Sequence, residues 1–189
     1  MEENTVAISR LNSCVKYPCN FIFVASMNPC PCGYYGSKEK KCTCKPKQIK
    51  NYINKISGPL LDRIDIHIEV GAVKYEKLRS ETEEEMSSII KNRVNIARKK
   101  QLQRYEKYKI FSNSELTNDM LNSFCKLNQN SKKILKRAFE KLGLSARAYG
   151  KILKVARTIA DLDNSDQILE VHLAEAIQYR TLDRKYWNR

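Results

Sequence analysis

The chain has 189 residues, of which 42% are hydrophobic and 30% are charged, and this balance predicts a folded protein of one large or two small domains. Its formal net charge of +14 favours polyanionic partners such as nucleic acid or nucleotide phosphates, although solubility alone also accounts for such a charge. No apolar run approaches the roughly 20 residues that span a bilayer, and the acidic N-terminus has no apolar secretory region, so a cytoplasmic location is expected.

The first part of the chain has the pattern of strands with one helix between them. Thr5–Ser9 alternates weakly between apolar and polar residues, whereas 21–25 is a continuous apolar run, as in a strand buried on both faces of a parallel sheet. Residues 64–70 alternate with a period of two, which predicts a strand with one polar face. Between these two runs, apolar residues at helical spacing predict a helix over 46–56, which 57–59 should end.

The remainder has a helical pattern, because it contains no proline and its glycines after Gly71 are Gly143 and Gly150. Helices are predicted over five segments, namely 82–105, 118–127, 131–142, 146–162 and 172–180. A capping box at Ser80–Glu83 should begin the first helix, and Gly143 should cap the third. The predicted buried stripe of the fourth helix comprises Tyr149, Ile152, Leu153, Ala156, Ile159 and Ala160.

Basic residues concentrate in the second half of the first of these helices and just beyond it, at Lys91, Arg93, Arg98, Lys99, Lys100, Arg104, Lys107 and Lys109. Such a surface can follow a phosphate backbone. A solvated helix face explains the same residues equally well, since few aromatic side chains lie among them.

Four of the seven cysteines lie within fifteen residues of each other, at Cys30, Cys32, Cys42 and Cys44. Four thiolates can form a closed, tetrahedral Zn²⁺ site of the structural kind. Their spacing is C-x-C rather than the common C-x-x-C, so free thiols and redox chemistry remain alternatives. A disulfide framework is not expected, because the cysteine count is odd and there is no secretion signal.

Two polar residues next to the predicted strands are candidates for phosphate chemistry. Asn28 follows the apolar run at 21–25 and can orient a water or a phosphate oxygen, although an Asn-Pro pair is often only a turn. Arg63 precedes the strand predicted at 64–70. Its rigid guanidinium can offset charge on a transferring phosphoryl group, or it can form a surface ion pair.

Long segments of the chain resemble the magnesium-chelatase-like AAA+ ATPases, in particular the YifB and ComM competence-protein type. The segments that carry the resemblance are 6–10, 21–36, 42–44, 57–70, 143–162 and 172–184. The resemblance implies a mostly α chain, in which an α/β remnant of a AAA+ (P-loop NTPase) core precedes an all-helical lid. It implies the C-terminal part of that core with the cysteine loop at 1–72, a linker at 73–82 and the lid at 83–189.

The resemblance also implies a role for three residues in a longer, ring-forming ATPase. Asn28 falls at the sensor 1 position and Arg147 at the sensor 2 position. Arg63 falls at the arginine finger, which reaches the nucleotide of a neighbouring subunit in a homo-oligomeric ring, expected to be a hexamer. The chain contains no G-x-x-x-x-G-K-[ST] phosphate loop, so ATP and Mg²⁺ are expected only in the longer protein and this segment alone should be inactive.

The sequence is therefore compatible with three functions. The first is the sensor and lid portion of an ATPase that processes DNA, in branch migration or a competence-related step. The second is a zinc-stabilised nucleic-acid-binding module without motor activity. The third is a magnesium chelatase subunit.

Overall fold

The computed structural model describes residues 5–10, 13–73, 75 and 85–180, and it divides into two compact units, Met1–Ile64 and Asp65–Arg189. The first unit contains an antiparallel pair of strands and two short helices: β1 (Thr5–Arg10), β2 (Ser13–Pro18), α1 (Pro46–Ile53) and α2 (Gly58–Arg63). In the pair, Ile8 lies opposite Val15. Both strands are solvent-exposed along their whole length.

The second unit is helical in its described residues. Its helices are α3 (Ser87–Tyr105), α4 (Asn118–Phe124), α5 (Gln129–Leu142), α6 (Ala146–Leu162) and α7 (Glu170–Gln178). Two 3₁₀ turns, Glu106–Tyr108 and Asn113–Glu115, connect α3 to α4.

Helix α6 is the centre of the second unit, since α3, α4 and α7 all pack against it. Ile152, Leu153, Ala156 and Ala160 are buried and follow each other at helical spacing, so one face of α6 supplies much of the core. Ser145 begins the helix by accepting a hydrogen bond from the backbone N–H of Ala148 at 3.2 Å, which satisfies one otherwise unpaired donor.

The helical predictions are confirmed in most particulars, and the chain is mostly helical, with a small strand-containing part followed by a helical domain. The helix predicted at 146–162 has those bounds, and Gly143 ends α5 with a φ of 53°, in the left-handed region that favours glycine. The capping box at Ser80–Glu83 lies outside the described residues. Tyr149 differs from the predicted stripe, because its side chain is 42% exposed.

Two strand predictions are wrong. Residues 21–25 are not part of a strand in the described chain, and Ile22 and Val24 are 91% and 87% exposed. Residues 64–70 are likewise not a strand. A strand needs a neighbour that pairs with its backbone, and the described residues provide none at either segment.

Residues 65–67 are instead attached to the helical unit. Lys151 in α6 forms an ion pair with Asp65 at 2.6 Å, and the backbone N–H of His67 donates to the carbonyl oxygen of Tyr179 at 3.0 Å. Strand β2 continues to Pro18, which ends it.

Candidate metal centre and nucleotide-sensing residues

The cysteine loop brings four thiol groups together in the first unit. The Sγ atoms of Cys30, Cys32, Cys42 and Cys44 all lie within 4.8 Å of one another. The Sγ atom of Cys32 is 3.3 Å from that of Cys30 and 3.5 Å from that of Cys42. All four residues are free thiols rather than disulfides.

A tight turn makes this convergence possible after Cys30. The backbone N–H of Gly33 donates to the carbonyl oxygen of Cys30 at 3.0 Å, and Gly33 has a φ of 82°. Only glycine adopts this conformation without steric cost, so the turn depends on that residue type. The turn reverses the chain direction between Cys30 and Gly33, and it places the sulfur atoms of Cys30 and Cys32 close together.

The sulfur arrangement fits a tetrahedral metal site. With Zn–S bonds of about 2.3 Å, the sulfurs of a tetrahedron are about 3.8 Å apart. The separations of 3.3–3.7 Å among Cys30, Cys32 and Cys42 are close to that value. The four-cysteine cluster is therefore able to bind a metal ion with no open position for substrate, which is the arrangement of a structural rather than a catalytic site.

Backbone hydrogen bonds, burial and the adjacent sulfurs together shift the pKa values of the thiols. Backbone hydrogen bonds from Tyr34 and Thr43 lower the pKa of Cys32 to about 5. A backbone hydrogen bond from Cys44 lowers the pKa of Cys42, but burial and the adjacent sulfurs of Cys32 and Cys30 outweigh it and raise that pKa to about 12. These contacts thus favour the thiolate form at Cys32 and the protonated form at Cys42.

Burial raises the pKa of Cys44 as well. The groups with the largest effect on the Cys32 thiolate are backbone N–H donors. Lys40 is occupied elsewhere, because its Nζ atom lies 3.3 Å from the hydroxyl of Tyr34 and 4.5 Å from the centre of that ring.

Arg63 is the last residue of α2 and is partly exposed. The helix is capped by Ser57, whose Oγ accepts from the backbone N–H of Leu60, and Pro59 occupies its first turn. The Arg63 Nη1 atom donates to the carbonyl oxygen of Pro59 at 2.8 Å, one turn back along the same helix. This contact holds the guanidinium at the surface of a short, capped helix.

Asn28 and Arg147 are both exposed. The Asn28 side chain lies beside the turn of the cysteine loop, 4.0 Å from the place where a Cβ atom on Gly33 would stand. Arg147 is the second residue of α6, two positions after the Ser145 cap. Asn28 and Arg63 belong to the first unit and Arg147 to the second, and the convergence of the three on a nucleotide stays a prediction.

A buried ionic network in the second unit was not predicted from the sequence. The Asp161 carboxylate is inaccessible to solvent and is paired with the guanidinium groups of Arg104 and Arg157. It also accepts from the side-chain amide of Asn113 at 2.9 Å. Burial alone would raise the pKa of Asp161, but the hydrogen bonds from Arg104 and Asn113 outweigh it and keep that pKa below its ordinary value.

Several of the side chains predicted to form a basic surface on α3 make contacts within the protein. Arg104 is used to neutralise Asp161, and Lys100 donates to the backbone carbonyl of Asn164 at 2.8 Å. Arg98 donates to the side chain of Gln101 at 2.8 Å while remaining exposed. The helix is therefore less basic toward solvent than its composition suggests.

Comparison with known proteins identifies both halves of the chain. The family profile described as magnesium chelatase, subunit ChlI, matches residues 1–78, and the profile described as magnesium chelatase, subunit ChlI C-terminal, matches residues 84–180. The chain belongs to the magnesium chelatase subunit ChlI family. The two matches include the segments of all the candidate site residues above.

Several curated proteins are similar to this family member along most of its length. The competence protein ComM of Haemophilus influenzae is 41% identical over 186 residues, which cover 97% of this chain and 35% of ComM. The uncharacterized protein YifB of Escherichia coli is 40% identical over 185 residues, with the same two coverages. YifB of Salmonella typhimurium is 37% identical over 189 residues. The chain thus spans about a third of the length of these relatives, 35% in each case.

Within the described residues, no helix combines the length and the apolar character that crossing a membrane requires.

Proposed function

We propose that this chain is the C-terminal sensor and lid portion of a ring-forming, magnesium-chelatase-like AAA+ ATPase that couples ATP hydrolysis to DNA processing, in branch migration or a competence-related step. The observation that carries the proposal is that the family matches extend over both the segment of Arg63 and that of Arg147. The name of the relative ComM, a competence protein, supports the DNA-processing part.

The proposed chemistry is electrostatic. Hydrolysis of ATP spreads negative charge over the γ-phosphoryl oxygens, and guanidinium groups stabilise that charge in the transition state. Arg63 is proposed to act on the nucleotide of the neighbouring subunit in a hexameric ring, and Arg147, at the sensor 2 position, is proposed to contribute a second guanidinium to the γ-phosphate. Asn28 is proposed to orient the attacking water through its side-chain amide. ATP and Mg²⁺ are proposed to be bound by the longer protein, in the cytoplasm.

Separate measurements of nucleotide binding and turnover test this proposal. In the longer protein, Arg63→Ala is expected to leave ATP binding intact and to reduce turnover by roughly 10³-fold or more, as for other arginine fingers. Arg137→Ala is the matched control, because Arg137 is an exposed arginine on α5 that is assigned no role. Equal turnover in the two variants would contradict the proposal.

We further propose that Zn²⁺ occupies the cysteine cluster and stabilises the first unit. The four sulfurs supply a complete ligand set, and a dication would allow all four to be thiolates at once. Metal analysis of the purified chain should find one zinc per chain. Cys42→Ser should lose it, whereas Cys14→Ser, which alters an exposed cysteine outside the cluster, should retain it. A metal-free chain purified under reducing conditions with zinc supplied would refute the assignment.

The cysteine cluster also favours a second function, a zinc-stabilised nucleic-acid-binding module with no motor role. The net charge of +14 is compatible with both readings. The Arg63→Ala measurement separates them, because a binding module has no hydrolysis for that residue to support.

A further inference from the structure

A cleft of about 630 Å³ opens between α4, α5 and α6 of the second unit. Its floor is apolar and comprises the buried side chains of Leu121, Cys125, Leu135 and Leu153. A volume of this size is in the range of small-ligand sites, which are usually apolar with a few polar groups at defined positions. None of the candidate residues Asn28, Arg63 and Arg147 lines it.

The rim of the cleft is basic. Lys126, Lys132 and Lys136 line it, and no acidic side chain of the described residues does. Lys132 and Lys136 are one turn apart on α5, so they lie on the same face of that helix. Lys136 is 3.9 Å from Glu140, but both side chains are largely exposed, and an exposed pair at that distance is weak. The rim therefore attracts an anion.

One aromatic side chain at the edge of the cleft has a surface available to a ligand. Tyr149 was predicted to be buried, yet its side chain is 42% exposed. Its ring is positioned by Phe139, with the ring centres 5.9 Å apart in an edge-to-face arrangement. An exposed ring on a regular helix that lines the same cleft as several lysines is a combination with which proteins bind unpaired bases.

We propose that this cleft binds a nucleotide of single-stranded DNA, with the base stacked on Tyr149 and the flanking phosphates paired with Lys126 and Lys132. The inference rests on the proposed DNA-processing function and deepens it by assigning a DNA-contacting site to the helical unit. The apolar floor excludes water beneath the base, which strengthens stacking and the lysine–phosphate attraction.

An acidic peptide is the other class of ligand with matching charge. Two observations favour DNA. The rim offers an exposed aromatic ring as well as lysines, and the whole chain has a net charge of +14. Base stacking requires the ring, whereas lysine pairing with a peptide does not.

The test is a fluorescence-anisotropy titration of the 189-residue chain with a labelled oligo(dT) strand of about twelve nucleotides and with an abasic strand of equal length. Tyr149→Ala should weaken oligo(dT) binding roughly tenfold and leave abasic-strand binding unchanged. Tyr149→Phe keeps an aromatic ring, so it should restore the difference in affinity between the two strands. Lys126→Ala combined with Lys132→Ala should weaken both strands. Lys91→Ala combined with Lys99→Ala removes the same charge from α3, outside the cleft, and should have a smaller effect.

Circular dichroism of each variant checks that the helices are retained. If Tyr149→Ala leaves oligo(dT) binding unchanged, or if the two lysine pairs have equal effects, the cleft is not the site and only this inference is overturned. If the unaltered chain binds neither strand, the DNA part of the proposed function fails too. If a labelled acidic helical peptide binds with the expected dependence on the cleft variants and oligo(dT) does not, the cleft serves a protein partner and the inference is overturned.

Discussion

The two units differ in how far they bury their own apolar residues. In the described part of the first unit, the buried apolar side chains are Cys30, Ile53 and Leu61, and residues such as Ile22 and Val24 are almost fully exposed. The second unit has a continuous core that joins α3, α4, α5, α6 and α7. A helix satisfies its own backbone and needs only side-chain packing, whereas a strand also needs a partner for its backbone. The second unit thus buries much of its own apolar surface, whereas the described part of the first unit leaves many large apolar side chains exposed.

The largest loss of stability expected from this difference follows from substitution of Asp161. Asp161→Ala leaves Arg104 and Arg157 without their buried counter-ion, so the free energy of unfolding of the helical unit should fall by about 3–5 kcal/mol. Chemical denaturation followed by circular dichroism measures this. Asp166→Ala is the control, because its side chain is 95% exposed and its ion pair with Lys100 should contribute little. A loss below 1 kcal/mol at Asp161 would show that the network is not structural.

The second prediction compares the replacement of one large apolar side chain by alanine in each of the two units. Leu173→Ala empties a fully buried position of α7 and should cost about 2–5 kcal/mol. Ile22→Ala removes a side chain that is 91% exposed and should change the free energy of unfolding by less than about 0.5 kcal/mol. Similar losses at the two positions would mean that the first unit buries Ile22, contrary to the comparison.

The smallest expected effects come from two glycines of the helical unit. Gly143→Ala places a side chain at a left-handed φ of 53° and should destabilise by about 1 kcal/mol. Gly150→Ala lies inside α6, where a new Cβ atom would meet Leu121 at 3.4 Å, an ordinary contact. Alanine is the better helix former, so that change should be neutral or stabilising by up to about 1 kcal/mol. Gly143→Ala should lower the midpoint of thermal unfolding, whereas Gly150→Ala should leave it unchanged or raise it.

The sequence was sufficient for the features that depend on local chemistry. The bounds of α6, the cap at Gly143 and the grouping of the four cysteines all follow from spacing and residue type. The apolar run at 21–25 was misread because periodicity reports which residues are apolar and not whether a neighbouring strand is present. The pairing of Arg104 with Asp161 was missed because the two residues lie far apart in sequence and only the fold brings them together.

The exposure of Tyr149 was missed for a related reason. Helical spacing places it on the apolar stripe of α6, but α4 and α5 leave a cleft at that position. Likewise, the backbone donors that lower the pKa of Cys32 belong to the loop conformation and have no signature in residue type.

A subunit-mixing experiment tests most directly whether Arg63 acts across a ring. In the longer protein, Arg63→Ala subunits should hydrolyse no ATP alone, and neither should subunits with an intact Arg63 but a disabled phosphate-binding loop. Mixing the two should restore part of the turnover, because an intact Arg63 then faces an intact nucleotide site on its neighbour. If the Arg63→Ala subunits hydrolyse ATP at the unaltered rate by themselves, the central claim is contradicted.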